Sequence, residues 1–172
     1  MVQRYRRKGF VVAAQDEATF GLIPLIARGW ARRGSHPSVL INHKNTCINV
    51  FGARSQRSFV FKFAKRKRQR DFVSFLSCIL RRWGRVLLFI DNAPAHHGKV
   101  LAAFLRGHRK TLRLVCFPSY TPELNPVEPC WKPARRVLAN RVLRTLPAMQ
   151  YHLRKTFSNS KGMPYFYHYL RD

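Results

Sequence analysis

Apolar residues in this chain fall into short blocks whose spacing separates strands from helices. Residues 9–16 (Gly-Phe-Val-Val-Ala-Ala-Gln-Asp) form an apolar run closed by an acid, the pattern of a buried strand that ends by delivering Asp16 to a sheet edge. Pro24, Gly29 and Gly34 then interrupt residues 21–37 and predict a loop that contains Trp30. Residues 39–41 and 46–51 read as two strands around His43, Lys44 and Asn45, and residues 58–64 alternate Phe59, Phe61 and Phe63 with Ser58, Val60 and Lys62. The period then changes. Asp71 is placed to cap a helix whose Phe72, Phe75, Leu76, Ile79, Leu80 and Trp83 recur at helical spacing until Gly84 stops it. Residues 86–90 are uniformly apolar, as in a strand buried on both faces, and end in Asp91-Asn92 ahead of a helix near residues 97–105. A second buried strand is expected at 112–117. The turn-rich residues 118–126 lead to a helix with Glu128, Trp131, Val137 and Leu138, and another helix runs to about Phe157.

A meander of strands followed by strand, helix, strand, helix describes an α/β protein with a mixed sheet flanked by helices. No repeat or linker divides the sequence, so one domain is expected over residues 1–172, with a basic, aromatic tail at about 158–172. An apolar content of 46% is ample for a core and argues against disorder. No run of eighteen apolar residues is present and the basic start leads into a strand, so a soluble intracellular chain with no membrane partner is expected. Cys47, Cys78, Cys116 and Cys130 lack the spacing of a zinc site or a disulfide framework and read as reduced, mostly buried thiols. Trp30 and Trp131 read as packing residues.

Charge changes the picture. Thirty-three Lys and Arg against seven Asp and Glu give a formal charge of +26, which calls for a polyanionic partner, and nucleic acid fits best because the cations are spread along the whole chain. The densest run, Lys65, Arg66, Lys67, Arg68 and Arg70, is the expected grip on a DNA backbone. Against that background the few acids stand out. Asp16 and Asp91 close strands and Glu128 opens a helix, and in α/β sheets such ends face one crevice. Singly, Asp91 could be a turn residue and Glu128 a helix N-terminal charge. Together, three carboxylates repel one another unless a divalent cation compensates, and hard oxygen donors favour Mg²⁺ or Mn²⁺. Two such ions about 3.5–4 Å apart would support in-line attack on phosphorus. Asp16, Asp91 and Glu128 are therefore the candidate catalytic and metal-binding residues, with Asn92 and His96 in support. Glu17 and Glu123 are the competing acids, and strand alternation sends Glu17 to the face opposite Asp16.

Four segments carry a family resemblance: residues 15–20 (Gln-Asp-Glu-Ala-Thr-Phe), 28–34 (Arg-Gly-Trp-Ala-Arg-Arg-Gly), 89–96 (Phe-Ile-Asp-Asn-Ala-Pro-Ala-His) and 118–128 (Pro-Ser-Tyr-Thr-Pro-Glu-Leu-Asn-Pro-Val-Glu), followed by Trp131. They resemble the insertion-sequence-630 branch of the mariner-type transposases, in the DDE superfamily of endonucleases. The resemblance implies a ribonuclease-H-like fold with a five-stranded sheet, with Asp16, Asp91 and Glu128 as the triad. It also implies cleavage of double-stranded DNA at the ends of a mobile element, strand transfer into a TA site, a homodimer in the active complex, and residence in a prokaryotic cytoplasm close to the nucleoid. Such transposases carry helix-turn-helix units ahead of the catalytic domain, so this chain is expected to be that domain without them. The alternatives are another ribonuclease-H-like nuclease and a non-catalytic, basic DNA-binding remnant of a transposase. Pro133 is expected to strain the helix that bears Glu128, at about 3 kcal/mol if fully interior, and so to displace the carboxylate.

Overall fold

A strand buried on both faces has no water for its backbone N–H and C=O groups, so it needs strand partners on both edges, and the first strand has them. In the computed structural model, which describes residues 1–41, 45–93, 96–118, 121–159 and 164, β1 (Val11–Gly21) is the middle strand of a five-stranded sheet. On one side β2 (Cys47–Ser55) and then β3 (Phe59–Ala64) run antiparallel in sequence. On the other, β4 (Val86–Ile90) and then β5 (Leu112–Cys116) run parallel to β1. The mixed five-stranded sheet is thus as the sequence implies. His43 and Lys44, Pro94 and Ala95, Ser119 and Tyr120, and nearly all of the tail lie outside the described residues.

Helices cover both faces. α1 (Val2–Arg7), a short helix the sequence pattern did not suggest, lays Tyr5 edge-on against Phe10 with ring centroids 5.1 Å apart. α2 (Gln69–Trp83) and α3 (Lys99–Gly107) cover one face: Phe72, Phe75, Leu76, Ile79 and Leu101 pack on Ala13, Phe51, Ala53, Leu88 and Ile90. α4 (Glu128–Leu138) and α5 (Leu146–Ser158) cover the other, where Trp131, Met149, Leu153 and Phe157 meet Val12, Ala14, Ala18, Phe20 and Val50. Odd and even positions of β1 feed different cores, as a two-residue period requires.

Several boundaries differ from the expectation. Asp16 does not close β1, which continues five residues further to Gly21, because Ala18 and Phe20 keep the buried alternation going. Residues 39–41 form no strand: they belong to an exposed connection in which Trp30 is fully exposed, so Trp30 is not a packing residue, whereas Trp131 is buried. β5 is a sheet edge and only its first residue is fully buried. Asp71 is the third residue of α2, not its cap. Its carboxylate accepts the Arg68 backbone N–H at 3.2 Å, half of a capping box. Gly84 ends α2 at φ 73°, a left-handed conformation that suits glycine. The cysteines are free, but only Cys130 is buried, while Cys47 and Cys116 are exposed. α4 continues through Pro133 to Leu138.

Candidate active site

The two strands that carry Asp16 and Asp91 lie side by side. β1 pairs with β4 in a register that ends with Ala14 opposite Phe89, and two further steps along each chain reach Asp16 within β1 and Asp91 just past the end of β4. Glu128 arrives from the third side as the first residue of α4. The loop before it is tied to the sheet by Asn125, which is buried: its side-chain amide donates to the Gln15 carbonyl at 3.0 Å and its oxygen accepts the Val127 N–H at 3.1 Å. That tether fixes where α4 begins. Glu128 and Trp131 are one helical turn apart and project on the same side.

Asp16 is held by an aromatic donor. The Trp131 indole N–H donates to Asp16 Oδ2 at 2.7 Å, and the ring is gripped edge-on by Phe20, Phe59 and Phe157 at centroid distances of 6.2, 5.9 and 5.7 Å. Room for the indole comes from Gly52, the partner of Asp16 on β2, where an added Cβ would lie 2.5 Å from Trp131 Cη2 and 2.8 Å from Phe59 Cζ. Burial pushes the Asp16 carboxyl up to about 7, against the lowering effect of the Trp131 bond and with the further help of the Glu128 charge. Asp16 and Glu128 therefore feel one another as uncompensated negative groups.

Asp91 is held differently. Its half-exposed carboxylate contacts His96 Nδ1 at 2.8 Å, the Asp91 carbonyl accepts from the same ring at 2.9 Å, and its Oδ1 also accepts the Ala93 N–H at 3.3 Å. The other ring nitrogen, Nε2, contacts Glu17 Oε1 at 3.0 Å. His96 is buried over Phe72, with ring centroids 4.2 Å apart. Burial alone would push the imidazole down, but the Asp91 and Glu17 carboxylates override it and hold it up to about 10. It is thus an imidazolium at neutral pH, and its hydrogen bond keeps Asp91 below the usual carboxylate range despite burial, helped by the charge of Lys67.

The sequence-derived candidates separate as follows. Asp16 and Glu128 interact electrostatically on the α4 face, and Asp91 stands at the neighbouring strand end on its histidine. Asn92 is exposed and its side-chain oxygen contacts His97 Nε2 at 2.7 Å, not Asp91. Lys65, Arg66, Lys67, Arg68 and Arg70 are all exposed on the segment from β3 into α2, beside Asp91. Glu17 points away from Asp16, as alternation requires, yet its partnership with His96 makes it part of the site. It also accepts from Gln15 Nε2 at 2.9 Å. Sequence reasoning missed this, together with Asn125 and Gly52. Only the Asn-Pro dipeptide at residues 125–126 offered a signal, as a turn.

The donor set suits a hard divalent cation in kind, since it is all carboxylate oxygen and Asp16 carries a negative charge that burial and Glu128 disfavour. Among the described residues, no three such groups are drawn together at coordinating distance.

The family described as DDE superfamily endonuclease matches residues 11–150, from the start of β1 into α5. The chain belongs to that family. The fold agrees with solved structures of mariner transposase. It superposes with a TM-score of 0.68 on a Mos1 transposase paired-end complex with left transposon end, at 16% identity over 94% of this chain and 54% of that one. The mariner Mos1 paired-end complex with Mg gives 0.69 at 16% identity over 94% and 53%. The Mos1 catalytic domain alone gives 0.64 at 15% identity over 92% and 76%. The chain therefore spans about half the length of the Mos1 chains in those complexes. A search of curated protein sequences finds no match. Among the described residues, no helix is long and apolar enough to cross a membrane.

Proposed function

We propose that residues 1–172 form one transposase catalytic domain that cuts DNA at the ends of a mobile element and joins the freed ends to a target, with Asp16, Asp91 and Glu128 as the catalytic triad. One observation supports the reading: in a chain with seven acids and 33 cations, one acid within β1, one just past the end of the neighbouring β4 and one at the start of α4 lie toward the same side of the sheet as an exposed basic run. Asp16, Asp91 and Glu128 would hold Mg²⁺ or Mn²⁺, two ions in the working state, as the solved mariner complexes with Mg and with Mn suggest. When bound, the ions supply charge stabilisation for in-line attack by water or a 3′-hydroxyl on phosphorus. Trp131 fixes one oxygen of Asp16 so that the other is available, His96 orients Asp91, and Asn125 sets the start of the helix that bears Glu128. Lys65, Arg66, Lys67, Arg68 and Arg70 grip phosphates next to the triad. Transposon-end DNA, as named for the Mos1 complexes, is the proposed substrate class, with a TA target and a dimer as the working unit.

The test is Mg²⁺- or Mn²⁺-dependent nicking and end-joining of supercoiled and oligonucleotide DNA by the purified chain. Metal-dependent cutting that falls in Asp91→Asn by roughly 10²–10³-fold, the scale of removing one charged stabilising group, is the expected outcome. Cuts without joints would select a nuclease. The reading of a metal-indifferent DNA-binding chain draws on the dispersed carboxylates, and DNA binding with no cutting in either metal would establish it.

A further inference from the structure

The opposite end of the sheet is built as differently as a single fold allows. Six of the seven acids are among the described residues, and all lie on the side toward which β1 and β4 run: Asp16 and Glu17 midway along β1 and, with Asp91 and Glu128, in the site, Asp71 at the start of α2, and Glu123 in the turn leading to α4. The end where those strands begin holds no described carboxylate. It gathers the exposed Arg4, Arg7 and Lys8 within and just after α1, Arg57 in the β2–β3 turn, Arg82 at the end of α2, and Arg109 ahead of β5. The negative end of the α2 dipole accounts for cations at its own last turn. The α1 dipole does the same for Arg4 and Arg7, but no helix end accounts for Arg57 in the β2–β3 turn.

Two of these cations, Arg57 and Arg82, border a shaped surface. A groove of about 480 Å³ is lined by Arg6, Gln56, Arg57, Ser58, Arg82 and Trp83, with the first residues of β1 as its floor. Its walls are fixed by hydrogen bonds. The Trp83 indole N–H donates to Ser58 Oγ at 2.9 Å, clamping the end of α2 onto the β2–β3 turn. The turn is itself cross-braced, Ser58 N–H donating to Ser55 Oγ at 3.1 Å and Ser55 N–H to the Ser58 carbonyl at 2.9 Å. Arg57 and Arg82 are therefore presented from rigid elements. Five strand steps separate Val11 from Asp16, which at the rise of a β-strand is roughly 17 Å. A cationic groove at that remove serves contacts separate from those of the triad.

We infer that this end of the sheet is a second DNA-binding surface, on which Arg57 and Arg82 grip the phosphate backbone of a duplex segment that does not occupy the carboxylate site. The groove offers donors and charge but few base-reading amides, so its recognition is of backbone, not sequence. The inference shares only its partner, DNA, with the reading of the triad.

The test measures the affinity of the full chain for a duplex DNA by fluorescence anisotropy across a range of salt. Arg57→Gln with Arg82→Gln is expected to lower the slope of log affinity against log salt by about two, near 0.9 for each phosphate that is no longer neutralised. The comparison variant, Arg136→Gln with Lys155→Gln, removes the same charge from exposed positions on α4 and α5 and is expected to leave the slope unchanged. An equal fall in both pairs would reduce the effect to net charge and overturn the proposal, as would an unchanged slope in the Arg57 and Arg82 pair with normal melting. Loss of duplex RNA binding without loss of duplex DNA binding would overturn it as well. If no nicking is seen with either metal but the slope falls only in the Arg57 and Arg82 pair, the triad reading fails and this surface stands.

Discussion

The two faces of the sheet each deliver acids to the same end, and they restrain them by unlike means. On the α4 and α5 face, Asp16 is fixed by a neutral donor, the Trp131 indole, embedded in a cluster of phenylalanines. On the α2 and α3 face, Glu17 and Asp91 are bridged by a charged one, the His96 imidazolium, lying on Phe72. Burial disfavours the charge of Asp16 and the neutral indole offsets that only in part, so its proton affinity rises. A cationic donor neutralises Asp91, so its proton affinity falls. The pair thus joins a carboxylate that needs a cation to one that already has a partner.

Breaking the charged restraint is expected to have the largest effect. His96→Ala strands the Glu17 carboxylate, whose side chain is 9% exposed, and is expected to cost about 3 kcal/mol in chemical denaturation, the scale of breaking a buried ion pair from one side. Adding Glu17→Gln should recover part of it. A cost under about 1 kcal/mol would mean that the bridge is not the restraint described.

The pH dependence of the metal-free chain separates the faces further. Asp16 and His96 both have folded values above their ordinary ones, about 7 against 3.8 and about 10 against 6.5. The stability each contributes is complete below the lower value and is lost as pH rises through the higher one. For Asp16 the loss spans pH 3.8 to about 7, and for His96 it spans 6.5 to about 10. Asp16→Asn is expected to remove about 2 kcal/mol of the first loss, roughly half the full linkage value because the side chain keeps some solvent. An unchanged profile between pH 4 and 7 in that variant would show that Asp16 is not the buried acid. Mg²⁺ should raise the melting temperature more at pH 8 than at pH 5, since it competes with the proton on Asp16.

The smallest effect tests the aromatic side. Gly52→Ala puts a methyl into Trp131 and Phe59 and is expected to cost about 1–2 kcal/mol by overpacking. Trp131→Phe in the same chain should relieve part of that cost while removing the donor to Asp16. A fully additive double variant would separate Gly52 from the indole.

Local pattern exposed the five sheet strands and α2 to α5, because strand alternation and helical spacing are written in neighbouring residues, but it offered a strand at 39–41 that does not form and gave no sign of α1. Ala18 and Phe20 even carry the signal that β1 continues past Asp16, but an acid in an apolar run reads as a stop. Distant pairings were not legible. Nothing local joins Glu17 to His96, 79 residues on, or Gly52 to Trp131, and both contacts exist only once the sheet is assembled. Trp30 misled for the opposite reason: a large aromatic ring suggests a core, yet this side chain lies outside either one.

The register of β1 against β4 also governs when the site can exist. Val11 pairs with Val86, so Asp16 and Asp91 become neighbours only after a long stretch of chain has been closed into a loop. Contacts of such sequence separation form slowly compared with helices and hairpins. During synthesis the β1–β2–β3 meander can assemble while β4 and α4 are still being made. The acids are therefore gathered last, once β4 and α4 have joined the sheet.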